Sequence, residues 1–209
     1  MKQFRNIILA VLAVFLAITI VVISTPYVQS MILPQSNFDF AIKTVMMHEG
    51  GLTDSPHDNG GITNWGISLR FIKDEHICEN GDCKGDANEI IHLTQTEADQ
   101  IYYSDWWKKF HYDKIKDKFV ATKIMDFSIN AGSSRAHRIA KQALNNIHGK
   151  FFVVNGELDD RSIALINATE PAVMMDALRA EEAKFYRDIV KRNPSLRPFE
   201  KGWLARSRW

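Results

Sequence analysis

The chain has 209 residues, which is enough for one domain of ordinary size with a short additional segment but not for two large domains. Hydrophobic residues make up 45% of it and charged residues 24%, which excludes collagen-like, low-complexity and wholly disordered chains. Residues 1–36 contain Lys2 and Arg5 but no acid, whereas the remainder carries 24 Lys and Arg against 25 Asp and Glu. Because this remainder is nearly neutral, we expect no nucleic-acid partner.

The beginning of the chain is strongly apolar. Residues 7–23 contain no charge, no Gly and no Pro, and as a helix they would be about 26 Å long and favour a bilayer by roughly 5 kcal/mol. Since Lys2 and Arg5 precede this run, the positive-inside rule predicts a single-pass signal-anchor at 1–25 with a cytoplasmic N-terminus. A linker at 26–36 would then lead to a periplasmic domain held at the bacterial inner membrane. Cleavage as a signal peptide and later release from the membrane are the alternatives.

The two cysteines agree with export. Cys78 and Cys83 flank an Asn80-Gly81 turn signal, so we predict a local disulfide between them, which would stabilise the fold by ~2 kcal/mol. A zinc site is the alternative, with His76 and His92 nearby. The chain lacks a second ligand pair at zinc-finger spacing, so we expect no metal.

The rest of the chain has the pattern of helices joined by glycine-containing turns. Strands are expected only in a hairpin between 52 and 67 and in a second short hairpin at 151–158. A capping box, Thr94 to Glu97, predicts the start of one helix. The predicted fold class is mainly α, and the other helices are expected at 38–48, from 68, at 117–131, 134–148, 160–168 and 170–192.

Acidic residues suited to catalysis stand between 49 and 68. Glu49 ends an apolar helix and precedes two glycines, so its carboxyl can be half-buried with a raised pKa. Asp58 stands in a glycine-bounded turn where it can stay ionised, and the Thr63 hydroxyl could hold a water molecule. A neutral acid facing an ionised carboxylate is what glycoside cleavage needs. A helix-end charge followed by an Asx turn explains the same residues without any function.

This stretch resembles the signature of glycoside hydrolase family 108, a bacterial and phage N-acetylmuramidase family. The family's Glu-Gly-Gly-Tyr motif is matched by residues 49–51, and its Asp-Pro-Gly-Gly-x-Thr-x-x-Gly-Ile motif by Asp58, Gly60, Gly61, Thr63 and residues 66–67. Leu52 and Asn59 depart from it, standing where the family has Tyr and Pro. The resemblance implies that Glu49 is the essential acid. The order Glu, Asp, Thr is also similar to the triad of phage-type lysozymes, which supports Asp58 and Thr63.

The resemblance continues downstream, over 126–132, 154–159 and the segment from Arg179 to Arg206. It implies a lysozyme-like catalytic domain at 37–125, followed by a helical peptidoglycan-binding module at 126–209 packed against it. Within the matching segments, Gly60, Gly61 and Asn130 are the expected substrate-binding residues. Trp65, beside the glycine-rich turn, is the tryptophan expected to stack on a sugar, although buried helix packing is the commoner role of tryptophans. The basic segment 179–209 could face an anionic wall or be only a solvated helix face.

The sequence therefore predicts an exported, monomeric peptidoglycan hydrolase that needs no cofactor. Its expected reaction is cleavage of the β-1,4 bond between N-acetylmuramic acid and N-acetylglucosamine, as an endolysin or a wall-remodelling enzyme. Inversion of configuration is favoured over retention. A non-catalytic, membrane-anchored wall-binding module is the competing hypothesis, and a thiol amidase or peptidase using Cys78 or Cys83 is a third.

Overall fold

The computed structural model of the chain describes residues 36–48, 62–75, 87–150 and 152–209. None of the helices in these ranges is long and apolar enough to span a bilayer. The signal-anchor predicted around 7–23 and the disulfide predicted between Cys78 and Cys83 lie outside the described residues and stay predictions. Residues Asn37–Trp209 form one compact unit, and its predicted division after residue 125 stays a prediction.

The described residues are mainly helical, with one two-stranded hairpin, as the sequence pattern predicts. In the hairpin, Thr63 pairs with Ser68 and Asn64 with Ile67. Short π and 3-10 helices interrupt the regular elements at Tyr103–Lys108, Tyr112–Lys114 and Pro194–Leu196. The regular elements are α1 Asn37–His48, β1 Thr63–Asn64, β2 Ile67–Ser68, α2 Leu69–Glu75, α3 Ala87–His92, α4 Gln95–Tyr102, α5 Lys118–Ala131, α6 Ser133–His148, α7 Asp160–Ala168, α8 Pro171–Arg192 and α9 Arg197–Arg208.

Helix α5 is the centre of the fold. Asp117 caps it by accepting hydrogen bonds from two backbone N–H groups of its first turn, and every residue from Val120 to Ser128 is buried. A helix that is buried on all sides must have neighbours around it, and α5 packs against α1, α6 and α8. Full burial of a side chain such as Ile124 stabilises the fold by about 1.5–3 kcal/mol. The described elements are therefore arranged around this helix.

Helix α4 begins at the predicted capping box, which the structure confirms. Thr94 accepts a hydrogen bond from the Glu97 backbone, and the Glu97 carboxylate accepts one from the Thr94 backbone at 2.6 Å. Hydrogen bonds from the Thr94 hydroxyl, at 2.7 Å, and from the Thr94 backbone N–H lower the pKa of Glu97. The helix continues into the π-helical turn, which buries Trp107 and lets Trp106 stack on Phe71 with ring centroids 4.4 Å apart. This stacking joins the α4 region to the hairpin side of the fold.

The strand predicted within 151–158 is wrong, because residues 152–158 contain no strand. Side chains of α6 hold this loop instead. Asn145 exchanges two hydrogen bonds with the Phe152 backbone, at 2.8 and 2.9 Å, and His137 Nδ1 lies 2.9 Å from the Gly156 carbonyl oxygen. Lys141 Nζ donates to Asp159 at 2.9 Å. Side chains of one helix thus satisfy the backbone polar groups of this loop, so the loop needs no partner strand.

Helix α9 has no counterpart among the predicted helices. Two buried ion pairs lie beneath it: Arg206 binds Asp126 through two hydrogen bonds, at 2.7 and 3.0 Å, and Lys123 binds Glu182 at 2.9 Å. Lys123 also donates to the carbonyl oxygen of Ser207 at 3.0 Å. The central helix thus binds the last helix through side chains whose partners are about 80 residues away.

Candidate active site

A cleft of about 860 Å³ opens where β2–α2, the junction of α5 and α6, α8 and α9 meet. Its lining combines apolar rings with polar groups, which is the usual character of a ligand site. The side chains on which the site depends are Ser68, Arg70, Phe71, Asn130, Arg135, Tyr186 and Trp203.

Asn130 lies in the last turn of α5 and lines both this cleft and an adjoining cavity of about 520 Å³. The Tyr186 hydroxyl donates a hydrogen bond to Asn130 Oδ1 at 2.7 Å. Burial raises the pKa of Tyr186, so this hydroxyl stays protonated and remains a donor. With Oδ1 occupied, the Asn130 amide presents its N–H₂ group as a donor for a ligand. Asn130 therefore lines the cleft with a free amide donor, and its substrate-binding role stays a prediction.

An aromatic wall forms one side of the cleft. The Trp203 ring stacks on the Tyr186 ring at 5.5 Å and 18°, and on the Phe199 ring at 5.6 Å and 27°. The Phe199 side chain is 57% exposed at the end of this stack. Such stacked rings bury apolar area and hold a fixed surface against which a sugar ring can pack.

The buried ion pairs beneath α9 hold this wall in place. Burial raises the pKa of Glu182 and lowers the pKa of Lys123, and the charge of each partner opposes the shift in the other. Glu182 Oε1 accepts no hydrogen bond from any described residue. Because an unpaired charge would be costly here, each partner requires the other, and α9 with its Trp203 is tied to α5 and α8.

The adjoining 520 Å³ cavity brings the end of α1 to the site. Met47 lines it together with Asn130 and Trp203, and the Met47 side chain is 76% exposed. Two residues later in the chain comes Glu49, the predicted acid. Glu49 itself, with Asp58, Gly60 and Gly61, lies outside the described residues, so these four assignments stay predictions.

The hairpin forms the opposite side of the site. Its two-residue loop, Trp65 and Gly66, has φ of +52° and +76°, and a positive φ is unusual for tryptophan. The Trp65 indole donates to the Leu93 carbonyl at 3.0 Å, and the Tyr102 hydroxyl donates to the Trp65 carbonyl at 3.1 Å. These two bonds hold the strained turn, and with it the strands on either side.

Thr63 and Trp65 are not part of the cleft lining within the described residues. Thr63 lies on β1, paired with Ser68, and it is Ser68 that lines the cleft. Trp65 packs against the hydrophobic core. Their predicted roles in holding water and stacking on a sugar stay predictions. The tryptophan that the structure places in the cleft is Trp203.

Sequence reasoning did not assign a role to Tyr186 or Arg135, and it preferred Trp65 to Trp203 as the tryptophan that stacks on a sugar. Tyr186 and Trp203 belong to downstream segments that resemble the family, so a signal existed. The sequence pattern does not distinguish an aromatic residue that lines a cleft from one that packs in the core, because both occur at helical spacing. Arg135 lies directly after these motifs, on the first turn of α6.

The chain is similar to a known enzyme family and to a solved structure. Residues 42–132 match the family model of Glycosyl hydrolase 108. The match contains the end of α1, the hairpin and Asn130. No curated protein matches the chain. A solved structure, that of Brucella abortus SagA, is similar to the chain with a TM-score of 0.66 and 25% identity, over 83% of this chain and 91% of that one.

The structural similarity covers a larger share of the chain than the segment matched by the family model. Residues 42–132 are thus similar to glycosyl hydrolase 108 domains, which indicates that the protein is a glycoside hydrolase that acts on peptidoglycan.

Proposed function

We propose that the protein is a lysozyme-type N-acetylmuramidase, which hydrolyses the β-1,4 bond between N-acetylmuramic acid and N-acetylglucosamine. The observation that carries this proposal is the position of the cleft. Met47, two residues before the expected acid, and Asn130, from the other end of the family match, line one cavity. A glycan strand lying there would contact the amide of Asn130 and pass the end of α1.

In this proposal Glu49 protonates the leaving oxygen, and Asp58 activates water or stabilises the oxocarbenium-like charge. Thr63 would help to hold the water, and the backbone at Gly60 and Gly61 would let the sugar approach closely. The reaction needs no cofactor. We favour inversion, for which the two carboxyl groups should lie ~6.5–9.5 Å apart, whereas a separation of about 5–5.5 Å would indicate retention.

The decisive experiment is the analysis of muropeptides after digestion by the parent protein and by Glu49→Gln. The parent should release fragments with new muramic acid reducing ends, and Glu49→Gln should lose nearly all of this activity while keeping the fold. Glu157→Gln, at an exposed glutamate outside the cleft lining, is the matched control and should digest normally. An active Glu49→Gln protein would refute the assignment.

The same experiment separates the competing functions. A wall-binding module would sediment with peptidoglycan but create no reducing ends, in the parent as well as in the variants. A thiol amidase would release stem peptides and would lose that activity in the double variant Cys78→Ser with Cys83→Ser. A muramidase should keep its glycosidase activity in that variant. The variant would lose only the stability that a disulfide contributes.

We also propose that residues 126–209 bind peptidoglycan by completing the catalytic cleft. Asn130, Arg135, Tyr186 and Trp203, all from this segment, line the same cavity as Ser68 from the hairpin. Replacing Trp203 with Ala should therefore raise the KM for glycan fragments, whereas a separate binding module would leave that KM unchanged on short fragments.

The cellular placement is proposed from the apolar run at 7–23. The enzyme would be a monomer anchored in the inner membrane, with its body in the periplasm, where it would act as an exported endolysin or a wall-remodelling enzyme. Mass spectrometry of the mature N-terminus, together with membrane fractionation, tests this. An intact N-terminus in the membrane fraction supports the anchor, whereas a chain shortened after residue 23 or a cytoplasmic location contradicts it.

A further inference from the structure

The side of the cleft formed by α6 carries positive charge. Arg135 lines the main cleft, and together with Arg138 it lines an adjoining depression of about 460 Å³. Arg70 lies in the lining of the main cleft. Within the described part of the chain, no Asp or Glu lines either cavity. A ligand group in this region therefore meets arginine side chains and, among the described lining residues, no carboxylate.

Arg135 is held in position by the end of α5. Its Nη1 donates to the Ala131 carbonyl oxygen at 2.6 Å, and a Cβ placed on Gly132 would come within 3.6 Å of that same Nη1. The guanidinium thus lies over the turn at Gly132. A guanidinium has five N–H donors, so four remain after this bond. Among the described residues no acid pairs with Arg135 or Arg138, although other arginines of the fold do form ion pairs.

Arg135 and Arg138 are three residues apart on α6, so their side chains leave the same face of the helix. Two guanidinium groups on one face are suited to a carboxylate, since the planar fork of arginine binds both oxygens. Both residues are exposed, so binding would not require the burial of an unpaired charge.

Peptidoglycan differs from other polymers of N-acetylated glucosamine in its carboxyl groups. Each muramoyl residue carries a lactyl group, which is either a free carboxylate or amide-linked to a stem peptide that has carboxylates of its own. A polymer of N-acetylglucosamine alone has none. Recognition of a carboxylate beside the sugar would therefore distinguish peptidoglycan from a polymer of N-acetylglucosamine.

We propose that Arg135 and Arg138 form a subsite that binds a carboxylate of the muramoyl residue or of its stem peptide. These two arginines then determine specificity for the anionic glycan over a neutral one. The inference rests on the proposed muramidase function. It concerns binding of the substrate and leaves the chemical step to the carboxyl groups.

The test compares the parent, the double variant Arg135→Gln with Arg138→Gln, and the control Arg187→Gln, an exposed arginine outside the cleft lining. Soluble glycan fragments with intact stems are the first substrate. We expect the double variant to show a KM raised about tenfold, the order of effect of losing charge-assisted hydrogen bonds, with a kcat within a factor of about two. The control should match the parent. Circular dichroism and the melting temperature verify that the variants are folded.

Two modified substrates identify the carboxylate. Amidation of all carboxyl groups should raise the parent's KM to that of the double variant, with no further increase in the variant. Glycan stripped of stems by an amidase has a free lactyl carboxylate: if the parent still binds it better than the variant does, the lactyl group is the ligand. If the two proteins bind it equally, the stem carboxylates are the ligand.

Equal KM values for the parent and the double variant on stem-bearing glycan would overturn the inference, as would an equal increase in Arg187→Gln. The failure of the proposed function has a different signature, because the parent itself would then create no reducing ends on any of the three substrates.

Discussion

Arg206, in the last helix, binds Asp126, in the central helix, through two hydrogen bonds of 2.7 and 3.0 Å, and only 2% of the Asp126 side chain is exposed. Asp126 also lies 3.4 Å from the Trp209 indole nitrogen, which donates to it. This pair joins the two ends of the segment that completes the cleft, so the position of Trp203 depends on it.

Replacing Arg206 with Gln should destabilise the protein by about 3–5 kcal/mol, because it leaves the Asp126 carboxylate buried without its partner. Urea unfolding followed by circular dichroism measures this. Arg208→Gln, at an exposed position two residues further along α9, is the control and should change stability by no more than about 0.5 kcal/mol. Similar stability of the two variants would show that the pair contributes little.

Replacing Tyr186 with Phe should keep the stack with Trp203 but remove the hydrogen bond to Asn130 Oδ1. The stability loss should be about 1 kcal/mol, the usual net contribution of one hydrogen bond. The Asn130 amide would then be free to turn, so we expect a larger relative loss in kcat/KM on glycan fragments than in stability. Asn130→Ala should lose at least as much activity. Unchanged kinetics in both variants would remove Asn130 from the substrate-binding site.

Replacing Gly156 with Ala should destabilise the fold by about 1–3 kcal/mol, the usual cost of overpacking. A Cβ at this position would overlap the Ser134 side chain and come within 3.3 Å of the Ser134 Cα. Because the main conflict is with the Ser134 side chain, adding Ser134→Gly should recover part of the loss, as measured by thermal unfolding.

The matched control for that glycine is Gly202, in the middle of α9, where an added Cβ meets no atom within 4 Å. Gly202→Ala should stabilise the protein by up to about 1 kcal/mol, since alanine is the better helix former. Destabilisation by Gly202→Ala would mean that glycine is needed at this point of the cleft for another reason.

Protonation of Asp159 should destabilise the protein in acid. Desolvation raises its pKa, but the hydrogen bonds from Lys141 and Ser162 outweigh this and lower the pKa from 3.8 to about 2. A lowered folded-state pKa contributes stability above pH 3.8, and this contribution is lost as the pH falls from 3.8 through 2. Since the Asp159 side chain is 47% exposed, we expect an effect below about 1 kcal/mol.

Asp159→Asn tests this, because asparagine can still cap α7 and only the charge is removed. The free energy of unfolding of the parent should fall more between pH 5 and pH 2 than that of the variant. Parallel pH profiles for the two proteins would contradict the assigned role.

Much of the fold is present in local sequence signals. The Thr94–Glu97 capping box marks a helix start that the structure confirms, and the helices predicted at 117–131, 134–148, 160–168 and 170–192 match the bounds of α5 to α8 to within one residue. These signals succeed because a helix end is determined by residues within one turn of it. The loop at 152–158 was predicted incorrectly because its hydrogen-bond partners are on α6, and the helix at 197–208 was missed because its first turn carries no side-chain cap.

The sequence by itself determined the mainly helical class, most helix boundaries and the resemblance to a muramidase family, since each depends on short-range patterns or on a motif. Only the tertiary structure shows that Tyr186 binds Asn130 Oδ1, that Trp203 and Arg135 line the described cleft, and that Arg138 lines the depression beside it. The physical reason is that a cleft is formed by helices distant in sequence, so its lining depends on how those helices pack around α5, which no local pattern records.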